Sequence, residues 1–388
     1  MARNPIKDQV AIVGIGSTGF DRHGRRTPAS LATEAAASAI RDAGLTAKDI
    51  DGVVSTGEPA APAPQQLAAM LGLSDVTHYP KTTPVVMFAL IDAMNAVFSG
   101  SADTVLLYNS VYRLPWNSRG AAADPFRRHY TTGVSASPES MSNAVAYTGW
   151  ASRYLHEYGR TREDLGLVTV NARSNGTRNP LATLRDPITM DEYLSARMIR
   201  EPFGMLDMDI PTDGADAFIL TTAERARDLP HPSVLLHASS TGTAACLAED
   251  QLIDLQHHGQ HVVAKNLRDK SDLWLEDTDV FLPYDGFTII TLGWIENLGW
   301  CGPGEAGDFL REHWDKDTDR VLINGRVPLN PHGGALAEGA TRGSGYVREA
   351  VTQLRGDAAD RQVEGARTAL VASGGFFFNP QGLILRTE

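Results

Sequence analysis

The segment from Asn330 to Gly356 places the strongest constraint on how this chain can fold. It reads NPHGGALAEGATRGSGYVREAVTQLRG and has five glycines within 13 positions. Glycine is favoured where the backbone takes a positive φ or lies close against another group. The second part of the segment predicts a helix from about Tyr346 to Leu354, because its apolar residues recur at helical spacing and Gly356 follows. The first part is either a tight turn between elements or a loop packed around a site.

The length of 388 residues predicts two domain-sized halves, since a single hydrophobic core stops growing at about 250–300 residues. We expect residues 1–228 to form an N-terminal half and residues 229–388 to form a C-terminal half. The chain is 42% hydrophobic and 21% charged, which is ordinary for a globular protein.

The charge of the chain argues against a nucleic-acid partner. A surface that binds nucleic acid needs clustered basic residues, and the net charge here is −12.

No apolar run approaches the ~20 residues that span a bilayer, so we expect no membrane partner. Met1 leads directly into a strand pattern rather than a signal-type apolar region, which predicts a cytoplasmic location.

The two cysteines, Cys246 and Cys301, show neither a pairing pattern nor a C-x-x-C motif. We therefore expect free thiols and no metal site. None of the six lysines lies in a glycine-rich segment, so a Schiff-base lysine is poorly supported.

Strand and helix patterns alternate along the first hundred residues, which is typical of an α/β fold. The predicted strands are 10–16, 50–55 and 102–109, and the predicted helices are 31–44 and 84–99. Gly14, Gly16 and Gly19 match the G-x-G-x-x-G dinucleotide fingerprint. No acidic residue closes a second strand at the required distance, so this match does not predict a nucleotide site.

Residues 111 to about 209 differ in composition from the rest of the chain, because they are rich in Arg, Tyr, Trp and Pro. They predict an excursion over the compact core, with helices at 142–158 and 164–174. The excursion could line a pocket for a long acyl group, or it could cover the core and contact a second copy. The sequence leaves both possibilities open.

The second half repeats the order of elements seen in the first. Its predicted strands are 233–239, 280–282 and 367–373, and its predicted helices are 262–272 and 344–356. Such a repeat predicts two similar βαβαβ halves packed around central helices.

Several motifs together resemble the thiolase superfamily, in the branch of the sterol-carrier-protein-type thiolases and their lipid-transfer-protein relatives. They are the pattern N-x-x-G-G-A-x-x-x-G at 330–339 and the segments 179–182, 186–189, 195–202 and 213–217. The resemblance covers nearly the whole chain. It implies an α/β, thiolase-like fold of five layers, αβαβα, made of the two βαβαβ halves with the loop excursion at about 111–209.

The positions that carry thiols and imidazole in thiolases have lost these groups here, as the resemblance aligns them. Thr83 replaces the nucleophilic cysteine, Ala340 the catalytic histidine and Ala372 the second cysteine. The chain instead resembles the steroid side-chain-cleaving lipid-transfer-protein aldolases of the superfamily. It shares with them the segments YDGF at 284–287, LGWCGPGEA at 298–306, and the tail segments 349–356 and 361–365.

This resemblance implies a carbon–carbon lyase that cleaves a β-hydroxyacyl-CoA, a steroid side-chain CoA thioester, by a retro-aldol reaction. The products would be a ketone and a short acyl-CoA such as propionyl-CoA or acetyl-CoA. No cofactor is implied, since the CoA thioester is the substrate. The implied partners are a second copy, as a homodimer, and a small OB-fold, zinc-ribbon protein. Two alternatives stay open, a non-catalytic lipid-transfer or scaffold protein and an acyltransferase that uses Thr83.

Tyr284, Tyr346 and Asp285 are the candidate catalytic residues. A phenol can donate a hydrogen bond to an enolate oxygen or, once deprotonated, take a proton from a hydroxyl. Tyr284 stands where thiolases place a residue of the oxyanion hole, and Asp285 either orients its neighbours or binds a buried amide. Tyr346 starts the predicted helix, whose dipole would lower the pKa of its phenol and favour a role as base.

The candidate substrate-binding residues lie in two glycine-rich turns, and they are His332, Gly333, Gly334, Gly374 and Gly375. The resemblance implies that the second pair of glycines presents backbone amides to the thioester oxygen. His332 is adjacent to the first pair, although a single loop histidine is more often incidental. Phe376 to Phe378 either wall a pocket for a ring system or end a core strand.

Overall fold

A computed structural model describes residues 4–22, 24, 26–112, 143–243, 254–376 and 379–388 of the chain. Cys246, Phe377, Phe378 and the part of the excursion from 113 to 142 lie outside the described residues. Cys301 is a free, partly buried thiol, as predicted.

Thirteen strands occur within the described residues, and eight of them form one mixed sheet in the order β2-β3-β6-β1-β7-β13-β12-β8. The strands of this sheet are β1 Val10–Asp21, β2 Gly52–Ser55, β3 Thr104–Tyr112, β6 Asp213–Thr222, β7 Val234–Thr241, β8 Val280–Pro283, β12 Thr368–Ser373 and β13 Gln381–Thr387. The shorter strands are β4 Met198–Arg200, β5 Phe203–Gly204, β9 Trp314–Asp315, β10 Arg320–Ile323 and β11 Val327–Pro328.

The helices surround this sheet on both faces. They are α1 Pro28–Asp42, α2 Pro64–Leu71, α3 Val86–Ser99, α4 Asn143–Glu157, α5 Arg162–Gly176, α6 Met190–Ser195, α7 Ala223–Ala226, α8 Gly259–Lys270, α9 Thr288–Leu298, α10 Ala306–Glu312, α11 Gly334–Ala337 and α12 Ser344–Arg355. Among the described residues, no helix is both long and apolar enough to cross a bilayer.

The sheet consists of two strand sets with the same internal order. The strands of the first set are ordered β2-β3-β6-β1, and the corresponding strands of the second set are ordered β8-β12-β13-β7. The two sets meet where β1 pairs with β7, at Ala11 with Leu235 and Ile12 with Val234. Residue 228 falls between α7 and β7, and the division of the chain there stays a prediction.

The apolar side chains separate into three cores that define the layers. Helices α1 and α2 pack on the outer face of the first strand set, and α8 and α9 pack on the outer face of the second. Helices α3 and α12 lie between the two sets and share one core with residues of both. The order of layers is therefore αβαβα, which confirms the predicted five-layer α/β architecture.

The excursion contributes helices to the outer layer of the second strand set. Trp150 and Tyr154 of α4 and Leu165 of α5 are buried in the same core as Trp294 of α9. This part of the excursion therefore covers the core, which is one of the two roles that the sequence left open.

The G-x-G-x-x-G match serves helix packing. It lies inside β1, which pairs with β6 in antiparallel fashion. A Cβ at Gly14 would come within 2.4 Å of the Ala39 carbonyl oxygen, and one at Gly16 within 2.2 Å of the Ala35 carbonyl oxygen. The two glycines thus let the backbone of α1 approach the sheet closely.

Helix α3 begins two residues later than predicted, at Val86 rather than Pro84. The reason is Val85, whose φ of +118° is outside the helical region and is rare for a β-branched residue. Val85 lies close to Gly343, since a Cβ at Gly343 would be 3.7 Å from a Val85 methyl group. The strained turn therefore lies beside the start of α12.

Candidate active site

The candidate residues gather at the carboxyl ends of two neighbouring parallel strands, β8 and β12. Pro283 at the end of β8 pairs with Ala372 in β12. The N–H of Tyr284 then donates to the carbonyl of Ala372 at 2.7 Å. Tyr284 and Asp285 thus follow one strand, and Gly374 and Gly375 follow the other. Ligands of open α/β sheets commonly bind at this kind of edge.

Tyr284 is the more accessible of the two predicted tyrosines, since it is partly buried whereas Tyr346 is 1% exposed. Its ring folds back over Gly286, where a Cβ would lie only 2.2 Å from the phenol oxygen. Any side chain at position 286 would therefore displace the ring. The rings of Tyr284 and Tyr346 lie side by side, with centroids 5.8 Å apart.

Asp209 is a site residue that the sequence did not reveal. Its Oδ2 accepts a hydrogen bond from the Tyr284 hydroxyl at 3.3 Å, and its N–H donates to the carbonyl of Gly286 at 3.0 Å. The carboxylate comes from the end of the excursion, 75 positions before Tyr284. The local sequence MDIP at 208–211 carries no motif, so it is the long-range contact that identifies Asp209.

Tyr346 and Asp285 form a buried pair. The Tyr346 hydroxyl, at the third position of α12, donates to Asp285 Oδ1 and accepts from the N–H of Ala335 at 3.0 Å. The same Asp285 oxygen accepts from that N–H at 2.7 Å, so the carboxylate also caps the first turn of α11. Gly334 is required there, because its φ is +59° and a Cβ would lie 2.1 Å from Asp285 Oδ2.

The buried pair has shifted protonation equilibria. Burial raises the pKa of Asp285 to about 7, although hydrogen bonds from Tyr346 and Ala335 oppose the shift. Burial and the adjacent Asp285 carboxylate raise the pKa of Tyr346 well above its usual value. The expectation that the helix dipole lowers this pKa is therefore wrong, because desolvation and a neighbouring negative charge outweigh the dipole.

His332 and the first glycine pair shape the region behind Tyr346. The His332 ring contacts the Tyr346 ring edge-on at 4.9 Å between centroids, and it is 1% exposed. Burial and the positive charge of Arg348 lower its pKa well below the usual value, so it is a neutral imidazole. Gly333 has a φ of +96° and packs against α5, where a Cβ would lie 3.0 Å from Gly176 Cα. The structure thus brings His332 to Tyr346, while Gly333 serves the packing of α5.

The second glycine pair follows β12 as predicted, but one of its amides is already engaged. Gly374 has a φ of +82°. The N–H of Gly375 donates to Asn379 Oδ1 at 3.0 Å, within the chain. A thioester oxygen would have to displace this side chain to reach the amide.

The three positions that the resemblance aligns with the catalytic groups of thiolases lie in different environments. Thr83 is exposed, outside α3. Ala340 is buried and its N–H donates to the carbonyl of Ile210 at 2.8 Å. Ala372 is buried within β12.

A buried ionic network supports the start of α12. Arg348 pairs with Asp216 of β6 and with Glu338, and all three side chains are buried. Burial raises the pKa of Glu338 to about 7 despite the attraction of Arg348. Ser344 also donates to Asp216, so the network joins α12 to the central sheet.

Comparisons with known proteins identify the family of the chain. The thiolase C-terminal domain-like family model matches residues 248–387. The 17-hydroxy-3-oxo-4-pregnene-20-carboxyl-CoA lyase of Mycobacterium tuberculosis is 33% identical, over 95% of this chain and 97% of its own. The steroid side-chain-cleaving aldolase of Thermomonospora curvata is 30% identical, over 97% of this chain and 98% of its own.

A solved structure shows the same relation in three dimensions. The Ltp2-ChsH2(DUF35) aldolase superposes with a TM-score of 0.87 at 30% identity, covering 99% of both chains. The acetyl-CoA acetyltransferase from Syntrophomonas wolfei, at 16% identity and a TM-score of 0.70, shares the fold. The chain therefore belongs to the thiolase superfamily, within its branch of steroid side-chain-cleaving aldolases.

Proposed function

We propose that this protein cleaves the side chain of a steroid β-hydroxyacyl-CoA by a retro-aldol reaction. As a member of its branch the chain is a carbon–carbon lyase. The proposal rests on two phenol–carboxylate pairs that lie near the ends of β8 and β12. Tyr284 is paired with Asp209, and Tyr346 is paired with Asp285. These groups can move protons, and none of them forms the acyl intermediate of a thiolase.

The substrate class follows from the chemistry in the relative's name. A 17-hydroxy-pregnene-20-carboxyl-CoA has its hydroxyl on the carbon β to the thioester carbonyl. Loss of the hydroxyl proton turns that carbon into a ketone as the bond to the α carbon breaks. The electron pair moves onto the thioester as an enolate, and a proton added to the α carbon gives propionyl-CoA. The thioester is the electron sink, so we propose no cofactor.

We assign the base role to Tyr284 with Asp209. Tyr284 is the accessible phenol, and its hydroxyl already donates to the Asp209 carboxylate. It can therefore pass its proton to Asp209 as it takes the proton of the substrate hydroxyl. Asp209 is partly exposed and can release the proton to solvent.

We assign the acid role to Tyr346 with Asp285. The raised pKa of Tyr346 keeps its phenol protonated, which suits a group that protonates the α carbon of an enolate. Asp285, with a pKa of about 7, can return a proton to the phenolate near neutral pH. This assignment reverses the sequence expectation that Tyr346 acts as base.

We also propose a homodimer and a small OB-fold, zinc-ribbon partner in the cytoplasm. The partner is supported by the description of the similar solved structure, which names Ltp2 together with ChsH2(DUF35). Light scattering of the purified chain tests the dimer. Co-purification with candidate zinc-ribbon proteins tests the partner.

The activity itself is tested with purified protein, alone and with its partner, and a 17-hydroxy steroid 20-carboxyl-CoA. Formation of the 17-ketone and propionyl-CoA in equal amounts is the expected result. Binding of the steroid without cleavage in either assay would favour the transfer protein. An acyl adduct on Thr83 in the mass spectrum would favour the acyltransferase.

The base assignment predicts that Asp209→Asn lowers kcat about 10-fold, because the amide cannot accept the proton of Tyr284. The steady-state kinetics of the purified variant measure this loss. Asp191→Asn is the matched control, since Asp191 is an exposed carboxylate on α6. Equal kcat values for both variants and wild type would remove Asp209 from the mechanism.

A further inference from the structure

Two buried polar side chains beside the candidate active site have no hydrogen-bond partner within the part of the chain that the structure describes. They are Ser373, the last residue of β12, and Gln381, the first residue of β13. Ser373 is 1% exposed and Gln381 is 0% exposed. A buried polar group without a partner costs stability, because folding removes its hydrogen bonds to water. Two such groups in one place indicate a site for a polar ligand.

The strand register places the two side chains next to each other. Ser373 and Gln381 are directly paired across β12 and β13, so their side chains lie on the same face of the sheet. Val371 and Leu383, two residues away along each strand, are buried in the core that contains α3 and α12. Since side chains alternate between the two faces along a strand, Ser373 and Gln381 face this same central layer.

The Ser373 hydroxyl lies at the point where both central helices begin. A Cβ at Gly343, the N-cap residue of α12, would be 2.9 Å from Ser373 Oγ and 3.2 Å from a methyl group of Val86, the first residue of α3. The N-cap residues, Val85 and Gly343, have no side-chain oxygen that could accept from the first turn of either helix. The positive ends of two helix dipoles therefore lie beside this hydroxyl.

This point belongs to the same edge of the sheet as the two candidate tyrosines. Ala372, directly before Ser373, accepts from the N–H of Tyr284 at 2.7 Å. Tyr346 follows Gly343 by three positions, so the two residues lie on the same side of the start of α12. A thioester bound between the tyrosines therefore has the Ser373 hydroxyl as a neighbour.

The two side chains have the chemistry that an enolate requires. An enolate carries negative charge on oxygen, and donors that are already in place stabilise that charge as it develops. A serine hydroxyl can donate one hydrogen bond and a glutamine amide can donate two. The N–H of Gly375, a donor that the sequence indicated for this oxygen, is engaged by Asn379.

We propose that Ser373 and Gln381 are further catalytic residues, which bind the thioester oxygen and stabilise the enolate. The inference rests on the proposed retro-aldol function. As the bond between the α and β carbons breaks, its electron pair moves into the enolate and negative charge develops on the thioester oxygen. The Ser373 hydroxyl and the Gln381 amide donate to that oxygen and keep their own protons. Tyr284 takes the β-hydroxyl proton and Tyr346 protonates the α carbon, so the step requires no further reactant.

The test uses two reactions of the full-length protein with its partner. The first is steroid-CoA cleavage. The second is exchange of the α hydrogens of propionyl-CoA for deuterium in D2O, measured by mass spectrometry, which requires the enolate but no β-hydroxyl. Ser373→Ala and Gln381→Met remove the donors and keep most of the side-chain volume. We expect each variant to lower the rates of both reactions about 100-fold, because loss of one oxyanion donor costs about 10²–10³-fold in kcat.

The melting temperature gives a second readout, which a structural role would move in the opposite direction. Since the two polar groups have no partner in the described part of the chain, an apolar side chain in their place should raise Tm by about 2 °C. Ser110→Ala is the matched control, because Ser110 is a strand serine, 0% exposed, whose Oγ donates to the carbonyl of Pro28 at 3.0 Å. This control should lower Tm and leave both rates unchanged.

Rates are compared per folded molecule, at a temperature well below every melting transition. Ser373→Ala and Gln381→Met enzymes with wild-type rates would overturn the inference and leave the proposed function in place. Loss of cleavage with wild-type exchange would also overturn it, because the side chains would then act on something other than the enolate. A lowered Tm together with lowered rates would show that they maintain the structure of the site, which again overturns it. Absence of both reactions in wild type would overturn the proposed function itself.

Discussion

Replacing Tyr284 with Phe is expected to lower kcat for steroid-CoA cleavage about 10³- to 10⁴-fold while the protein stays folded. The variant keeps the ring that folds over Gly286 and packs beside Tyr346, and it removes only the oxygen. In the proposed mechanism that oxygen receives the proton of the substrate hydroxyl, and no ketone forms until the proton leaves. A positioned general base typically contributes 10²–10⁴-fold to the rate.

The fold should tolerate this change, because Tyr284 is partly exposed and its hydrogen bond to Asp209 is long, at 3.3 Å. Circular dichroism and the melting temperature check this point, and product release measured by chromatography gives kcat. Tyr79→Phe is the control for a tyrosine hydroxyl remote from the site, since Tyr79 is 51% exposed. A Tyr284→Phe enzyme within 10-fold of wild type would mean that another group takes the hydroxyl proton.

Local sequence signals predicted the elements that position the site. Helix α12 was expected at 344–356 and occupies Ser344–Arg355, with Gly356 in the left-handed conformation that closes it. A helix is predicted at 164–174, and α5 occupies Arg162–Gly176, where Asp164 completes the capping box that Thr161 begins. These signals depend on neighbours within one turn, so a single sequence contains them.

The site depends on contacts between distant parts of the chain, and these were harder to predict. Asp209 reaches Tyr284 across 75 positions, and Tyr147 reaches Phe376 across 229. Neither has a local pattern that points to its partner. The raised pKa of Tyr346 is hard to predict for a related reason, because burial and the nearness of Asp285 are properties of the folded molecule.

The structure also shows what shapes the candidate site at the edge of the sheet. The ends of β8 and β12 still converge, and glycines at 286, 334 and 375 leave space that a tyrosine or aspartate fills. At each of these glycines a Cβ would lie within 2.2 Å of a phenol or carboxylate oxygen. The positions of the oxygens are therefore set by the glycines as much as by the polar residues themselves.

Asp285→Asn is expected to lower kcat about 10³-fold and to remove the pH dependence of kcat/KM near neutrality. When Asp285 is protonated it can donate to the Tyr346 oxygen, which frees the Tyr346 proton for the substrate. When Asp285 is ionised, the Tyr346 hydroxyl donates to it instead. Since the pKa of Asp285 is raised to about 7, wild-type kcat/KM should fall as the pH rises through that value.

The same substitution, which lowers kcat, should increase the stability of the folded protein relative to wild type as the pH rises. The folded state holds the Asp285 proton up to a pKa of about 7, whereas the ordinary pKa of an aspartate side chain is 3.8. The folded state therefore binds more protons between these values, so this group makes wild type less stable as the pH rises from about 4 to about 7. Asparagine can still accept from Ala335 and carries no charge. The stability of Asp285→Asn relative to wild type should thus increase by roughly 2–4 kcal/mol over that range.

Urea unfolding at pH 5 and pH 8, with kcat/KM measured from pH 5.5 to 9, tests both parts. Tyr346→Phe provides the contrast, because it should lose activity while Asp285 keeps its effect on stability. If Asp285→Asn retained the wild-type fall in kcat/KM above neutrality, another group would control it. If its stability followed the wild-type pH dependence, Asp285 would have to be ionised in the folded protein throughout. Tyr346 would then have no carboxyl to resupply its proton, and the acid role would pass to a different residue.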